Sequence, residues 1–186
     1  MYRNTALTLA ILISISSVNY AEPSDVFPGL TWGSNTDETV DAFGEPDQTG
    51  GTRTTYYVYR GTEVAGQSAT LLVYFDEAGG FFGGLYLLGG YRRTVSNFED
   101  IDGELRELYG APTLAEVRGL SSPDEPYSWN DISRGEVALF SAWDIEGMTI
   151  LHAALADDAQ PGGITHQVFY LDPGVLSATE AFENVF

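Results

Sequence analysis

Two stretches of the chain carry the same pattern, and they decide the predicted fold. Residues 36–46 read TDETVDAFGEP and residues 102–112 read DGELRELYGAP, 66 positions later. Each stretch ends in an aromatic residue, a glycine, one further residue and a proline. Glycine accepts the left-handed conformation just past a helix, and a proline two residues on prevents the helix from continuing. We therefore predict two short helices that end at Gly44 and Gly110, with Phe43 and Tyr109 packed on a sheet.

The sequence around each predicted helix supplies caps and strands. Asn35 and Glu38 have the spacing of a capping box, and Asp100 and Asp102 place acids at the start of the second helix, where the helix dipole favours them. Runs rich in aromatic and β-branched residues, bounded by Gly, Pro and Asp, follow each helix and predict strands. These runs are residues 54–60, 68–76 and 81–89 after the first helix, and 126–130, 136–144, 148–156 and 165–171 after the second.

The repeated pattern predicts an α+β fold of two tandem repeats, each a short helix packed on an antiparallel β-meander. The first repeat would span residues 22–92 and the second residues 93–172. Residues 47–53 and 113–125 have the composition of loops. The remaining residues, 173–186, form a tail in which Ser177 and Glu180 favour a short capped helix.

The motifs resemble those of a known superfamily. Gly-Leu-x-Trp-Gly at residues 29–33 precedes the first helix, and the second helix is followed by a strand that contains tryptophan. This arrangement resembles the β-lactamase-inhibitor-protein-like superfamily, which includes small outer-membrane proteins of the SmpA/OmlA type and other exported bacterial proteins. The resemblance implies the architecture and a binding or assembly role. It implies no functional residues, because the shared motif is structural.

Composition excludes several classes of chemistry. The 186-residue chain has no Cys, no Lys and a formal net charge of -19, which argues against binding to nucleic acid. Without Cys there is no disulfide, thiol nucleophile or lipidated cysteine, and without Lys there is no P-loop lysine or Schiff base. The chain also lacks nucleophile-elbow, zincin and dinucleotide motifs. We therefore expect no cofactor and favour a protein that is not an enzyme.

The first 21 residues have the features of a secretory signal peptide. Arg3 precedes an uncharged apolar run at residues 5–18, and Ala21 is a small residue at the expected cleavage point. The run is shorter than the ~20 residues that span a bilayer, so we predict no membrane span in the mature chain. The expected location is the periplasm or the exterior, without lipidation.

The two histidines form a candidate metal site. His152 and His166 flank a predicted loop at residues 157–163. If the flanking strands pair as a hairpin, residues whose numbers sum to about 318–320 face each other, and the two histidines become direct or diagonal neighbours on one face. With Asp157 or Asp158 at the rim they would suit zinc or nickel weakly. The alternative is a pair of hydrogen-bonded histidines on a sheet.

Aromatic residues suggest a partner-binding face. The chain has 3 Trp, 11 Tyr and 10 Phe, many for its length. Most would pack in the core, but Tyr and Trp also dominate binding energy at protein interfaces. The candidate partner-binding residues are Tyr57, Tyr59, Trp129 and Trp143.

These observations favour an exported protein that is not an enzyme and that binds another protein in the bacterial envelope. Two alternatives stay open at this point. One is an eight-stranded outer-membrane β-barrel, which export, aromatic content and glycine-rich turns allow. The other is a small-ligand or metal-binding protein, or an enzyme, with its site between the repeats.

Overall fold

The computed structural model describes residues 27, 29–51, 54–89, 95–122, 125–145, 147–157 and 162–175. Within these ranges the chain forms three helices and eight strands. The helices are α1 (Thr36–Phe43), α2 (Val95–Tyr109) and α3 (Trp129–Ser133). The strands are β1 (Gln48–Gly50), β2 (Thr55–Val64), β3 (Gln67–Phe75), β4 (Phe81–Leu88), β5 (Leu114–Arg118), β6 (Ala138–Ile145), β7 (Met148–Asp157) and β8 (Gly163–Leu171).

One antiparallel sheet contains all eight described strands, in the order β1-β2-β3-β4-β8-β7-β6-β5. The predicted α+β fold of two tandem repeats, each with its own meander, is therefore wrong. Strand β4 pairs with β8 from Gly83↔Leu171 to Leu87↔Gln167, which makes the sheet continuous across its middle. The helices are few and small beside this sheet. Apolar residues on both sides of β4 and β8 make these strands suited to the interior of a sheet.

The sheet has two apolar faces, here called the first and second faces. The first face carries the largest cluster of buried side chains, among them Leu71, Trp143 and Tyr170, and a smaller cluster around Ile132 and Leu139. The second face carries a cluster with these buried members: Phe140, Ala142, Leu151, Ala153, Phe169 and Leu171. In β3 the odd-numbered residues from Ala69 to Phe75 are buried on the first face, as the two-residue period of a strand requires.

Helix ends follow the sequence prediction. Gly44 and Gly110 both have φ of 82°, and the Asn35–Glu38 capping box is formed. Phe43 and Tyr109 pack against the main cluster of the first face. The two glycines therefore end their helices in a conformation that costs other residues about 1 kcal/mol or more.

Other local predictions were wrong. Helix α2 begins at Val95, several residues before the predicted start, and the stretch around Trp129 is helix α3. In α3, the Asp131 carboxylate accepts a 2.6 Å hydrogen bond from the Ser128 N–H, a local contact that favours a helix start over a strand. The predicted loops contain the edge strands β1 and β5.

No helix among the described residues is both long enough and apolar enough to cross a membrane. The predicted signal peptide at residues 1–21 lies outside the described residues, and so does most of the tail at residues 173–186, from residue 176 onward.

Candidate functional site

The two histidines meet on the first face, as the hairpin argument predicted. Strands β7 and β8 pair antiparallel with His152 opposite Val168 and Ala154 opposite His166. Each of these pairs sums to 320, within the predicted register, so the histidines are diagonal neighbours. Diagonal positions on one face are within reach of long side chains.

A direct hydrogen bond joins the two imidazole rings. Their Nε2 atoms lie 2.9 Å apart, and the side chains of His152 and His166 belong to residues only 0% and 3% exposed. A bond between two ring nitrogens requires one protonated and one unprotonated Nε2. The pair therefore stays bonded only while at least one of the rings is neutral.

Asp102 of helix α2 faces the other nitrogen of His152. The Asp102 Oδ1 and His152 Nδ1 atoms are 3.5 Å apart, and neither has a closer hydrogen-bond partner. This distance is at the outer limit of a hydrogen bond, so the contact between the carboxylate and the imidazole is long and weak. The second carboxylate oxygen, Oδ2, accepts a 2.6 Å hydrogen bond from Arg106 Nε, one helical turn further along α2.

The protonation states follow from these contacts. Burial alone would raise the pKa of Asp102, but hydrogen bonds involving His152, Ser141 and Arg106, with the guanidinium charge, lower it to about 2. Burial lowers the pKa of His152, and this effect exceeds the opposing influence of the Asp102 carboxylate. Asp102 is therefore ionised and His152 neutral near neutral pH. A proton on His152 Nδ1 faces Asp102, so His152 Nε2 accepts the hydrogen bond from His166.

Aromatic rings close the site on its helical side. The Phe98 ring of α2 stacks on His152 with a centroid distance of 3.9 Å and an interplanar angle of 9°. Trp129 of α3 meets His166 edge to face at 5.9 Å. The stacked Phe98 ring holds the His152 imidazole against α2 and covers one face of the imidazole ring. The buried pair therefore serves as a polar contact between α2 and the sheet.

The separation of the two histidine nitrogens can be compared with that of two ligands of one metal ion. Two nitrogens bound to one tetrahedral zinc lie about 3.3 Å apart, given Zn–N bonds of about 2.0–2.1 Å. The 2.9 Å separation here is that of a hydrogen bond. Among the described residues no group of three or more His, Asp or Glu side chains is placed to hold an ion. Metal binding by His152 and His166 stays a prediction.

A cleft of about 330 Å³ opens beside the buried pair, between α2 and strands β5 and β6. Its apolar lining includes Phe98, Val117 and Leu139. Tyr127 and Glu99 also line the cleft, and the pKa of Tyr127 is raised mainly by burial and further by the charge of Glu99. Asp102 and Arg106 line the same cleft. The buried polar contact is thus one wall of an open, mostly apolar depression.

The predicted partner-binding aromatics do not form one surface. Tyr57, Tyr59 and Trp143 pack in or against the main cluster of the first face, with Tyr59 and Trp143 only 6% and 1% exposed. Trp129 lies apart from them, against the smaller cluster beside His166. Burial of Tyr59 and Trp143 places these two side chains in the core. The Trp143 indole also donates a 3.0 Å hydrogen bond to the Gly110 carbonyl, which ties α2 to β6.

Asp102 and Phe98 are site residues that the sequence analysis missed. It placed Asp102 among acids that complement a helix dipole. The signal was present in the spacing, because Phe98, Ile101, Asp102 and Leu105 follow the i, i+3, i+4, i+7 period of one helix face. All four are buried. An acid within an apolar stripe indicates a buried partner.

Comparison with known proteins gives structural likeness alone. No family model matches the chain, and no curated protein matches it. A DUF4309 family protein, YjgB from Bacillus subtilis subsp. subtilis str. 168, is 15% identical with a TM-score of 0.42, over 75% of this chain and 78% of that one. An extracellular protein containing a SCP domain, from Bacillus anthracis str. Ames, is 12% identical with a TM-score of 0.39, over 88% of this chain and 51% of that one.

Proposed function

We propose that the chain is an exported protein that acts by binding an extended segment of another protein. Export is supported by the charged start, the apolar run and the small residue at Ala21. The absence of Cys supports an unlipidated product, in the periplasm or outside the cell. Kinship with the β-lactamase-inhibitor-protein-like superfamily is part of the same proposal, since that resemblance implies a binding or assembly role.

The observation that carries the binding proposal is the position of the cleft beside an edge strand. Strand β5 is the last strand in the order of the sheet and pairs with β6 alone among the described strands. An edge strand can pair with an added strand, which gains affinity from main-chain hydrogen bonds and specificity from adjacent side-chain pockets. The cleft beside β5 supplies such a pocket, lined by Val117, Phe98 and Tyr127.

Exposure supports the same site. Val117 of β5 is 39% exposed and lines the cleft, and Leu108 of α2 is 68% exposed and lies outside its lining. These are large apolar side chains in contact with water, but Val117 alone of the two combines exposure with a pocket and an edge strand. An arriving apolar side chain would cover Val117 and Phe98 together.

The buried polar contact has a positioning role in this proposal. Asp102 and His152 link α2 to β7, and the Phe98 ring stacks on the same imidazole. Because the histidines are buried, these contacts fix the position of α2 relative to the sheet. Helix α2 forms one wall of the cleft, so the wall is held in place.

A peptide selection tests this function. A displayed library of random peptides is selected on residues 22–186, and binding of the selected peptides is measured by fluorescence anisotropy. We expect saturable binders that lose at least tenfold in affinity to Val117→Glu, because the new carboxylate enters the apolar cleft. Leu108→Glu is the matched control and should bind as the wild type does. Equal binding to both variants, or no saturable binder, would contradict the proposal.

A further inference from the structure

The second face of the sheet is apolar and closely covered, although no described helix lies on it. Phe140 is 2% exposed, and Ala142 and Leu171 are 0% exposed. Phe43 of α1 and the buried apolar side chains of α2 and α3 pack in the clusters of the first face. A sheet face in contact with water would carry alternating polar residues, so an apolar face needs a second layer.

The tail of the chain has the composition of such a layer. Residues 176–186 read LSATEAFENVF. From residue 178 onward, the apolar residues stand at i, i+3, i+4, i+7 and i+8, at Ala178, Ala181, Phe182, Val185 and Phe186. This spacing is typical of a helix with one apolar face. Ser177 directly before this segment and Glu180 in its first turn have the spacing of a capping box.

The tail also begins at a suitable place. Strand β8 is at the centre of the sheet, and the chain turns directly after it: the Asp172 N–H donates to the Phe82 carbonyl, and the Val175 N–H donates to the Asp172 carbonyl. A ten-residue helix is about 15 Å long, and three strand spacings measure about 14 Å. The tail is therefore long enough to cross the strands around β8.

We propose that residues 177–186 form an amphipathic helix that docks on the second face of the sheet, over β7, β8 and their neighbours. The side chains that would receive Phe182 and Val185 are those of Leu151, Phe169 and Leu85, which share that face. An isolated helix of this length is marginal in water, so its stability comes from docking. The exported chain then has one layer of helix on each face of its sheet.

Paramagnetic relaxation provides the test. A nitroxide is attached through Asn184→Cys, on the polar side of the tail, in a chain that has no other cysteine. We expect loss of amide signal intensity for residues of β7 and β8 and no loss for residues of α1. Adding Phe182→Asp should abolish the effect by undocking the helix, whereas Glu183→Gln, on the polar side, should preserve it.

Three outcomes would overturn the proposal. One is full signal intensity across β7 and β8, and another is loss confined to the first face. The third is loss that vanishes when labelled protein is diluted into unlabelled protein, because the tail would then cover a second copy of the chain.

Discussion

Helices α1 and α2 end in the same way but are held by different interactions. Both end at a glycine with φ of 82° and rest on the first face. Helix α1 has eight residues, of which Thr39 alone is buried, and its start is fixed by the Asn35–Glu38 box. Helix α2 has fifteen residues, four of them buried, including an ionised Asp102 against a neutral His152. The first helix is therefore specified locally and the second by contacts with distant strands.

The largest expected effect is on the apolar anchor of α2. Leu105→Ala removes a side chain that is 1% exposed in the main cluster. We expect a loss of about 3 kcal/mol in the free energy of unfolding, within the range for buried leucines. Urea denaturation followed by tryptophan fluorescence measures it. Leu108→Ala on the same helix, at a position 68% exposed, is the control. Equal stability of the two variants would show that α2 does not depend on core packing.

A smaller effect concerns the polar anchor of α2 and depends on pH. His152 is neutral in the fold because burial lowers its pKa, whereas in the unfolded chain its pKa is about 6.5. Below that pH the unfolded chain binds a proton that the folded chain does not, so stability falls as pH decreases. Between about pH 7.5 and about pH 5.5 we expect a loss of about 1 kcal/mol, measured by urea denaturation.

The same experiment separates His152 from Asp102. The pKa of Asp102 is lowered to about 2, so its stabilising contribution is fully present above about pH 4 and is lost only as pH falls toward that value. His152→Gln should therefore flatten the stability curve between about pH 7.5 and about pH 5.5. Stability that rises on acidification of the wild type would mean instead that His152 is protonated against Asp102.

The smallest effect is expected at the cap of α1. Asn35→Ala removes the side chain that accepts hydrogen bonds from the Asp37 and Glu38 N–H groups, at 2.9 and 3.0 Å. Loss of such a cap costs about 1 kcal/mol. Asn35→Asp retains the acceptor and serves as the control in thermal denaturation. A loss as large as that of Leu105→Ala would remove the distinction between the two helices.

Local features of the fold were predictable, and the joining of its parts was not. The helix ends at Gly44 and Gly110, the capping box and most strands each arise from a few adjacent residues. Pairing of β4 with β8 has no local signal, since apolar strands carry no mark of which neighbour they will meet. At Trp129 the aromatic residues favour a strand, but the hydrogen bond between Ser128 and Asp131 favours a helix start, and the chain forms helix α3.

The residues of the candidate site also differ in how far the sequence predicts them. The meeting of His152 and His166 followed from one hairpin, because a short loop fixes the register of its strands. The approach of Asp102 depends on how α2 lies across the sheet, which no short stretch of sequence encodes. Only its place within an apolar stripe of the helix marked it as a residue with a buried partner.

The pairing of β4 with β8 has a consequence for folding. Leu85 pairs with Phe169, so almost half of the chain lies between two adjacent strands. Closing so long a loop carries an entropic cost before the pairing gains anything, and proteins rich in such contacts fold slowly. Strand β4 gains this neighbour only after β8 has been synthesised. We therefore expect refolding to be slow for a chain of this size. The strands β1–β4 and β5–β7 can join into one sheet only when β8 pairs between β4 and β7.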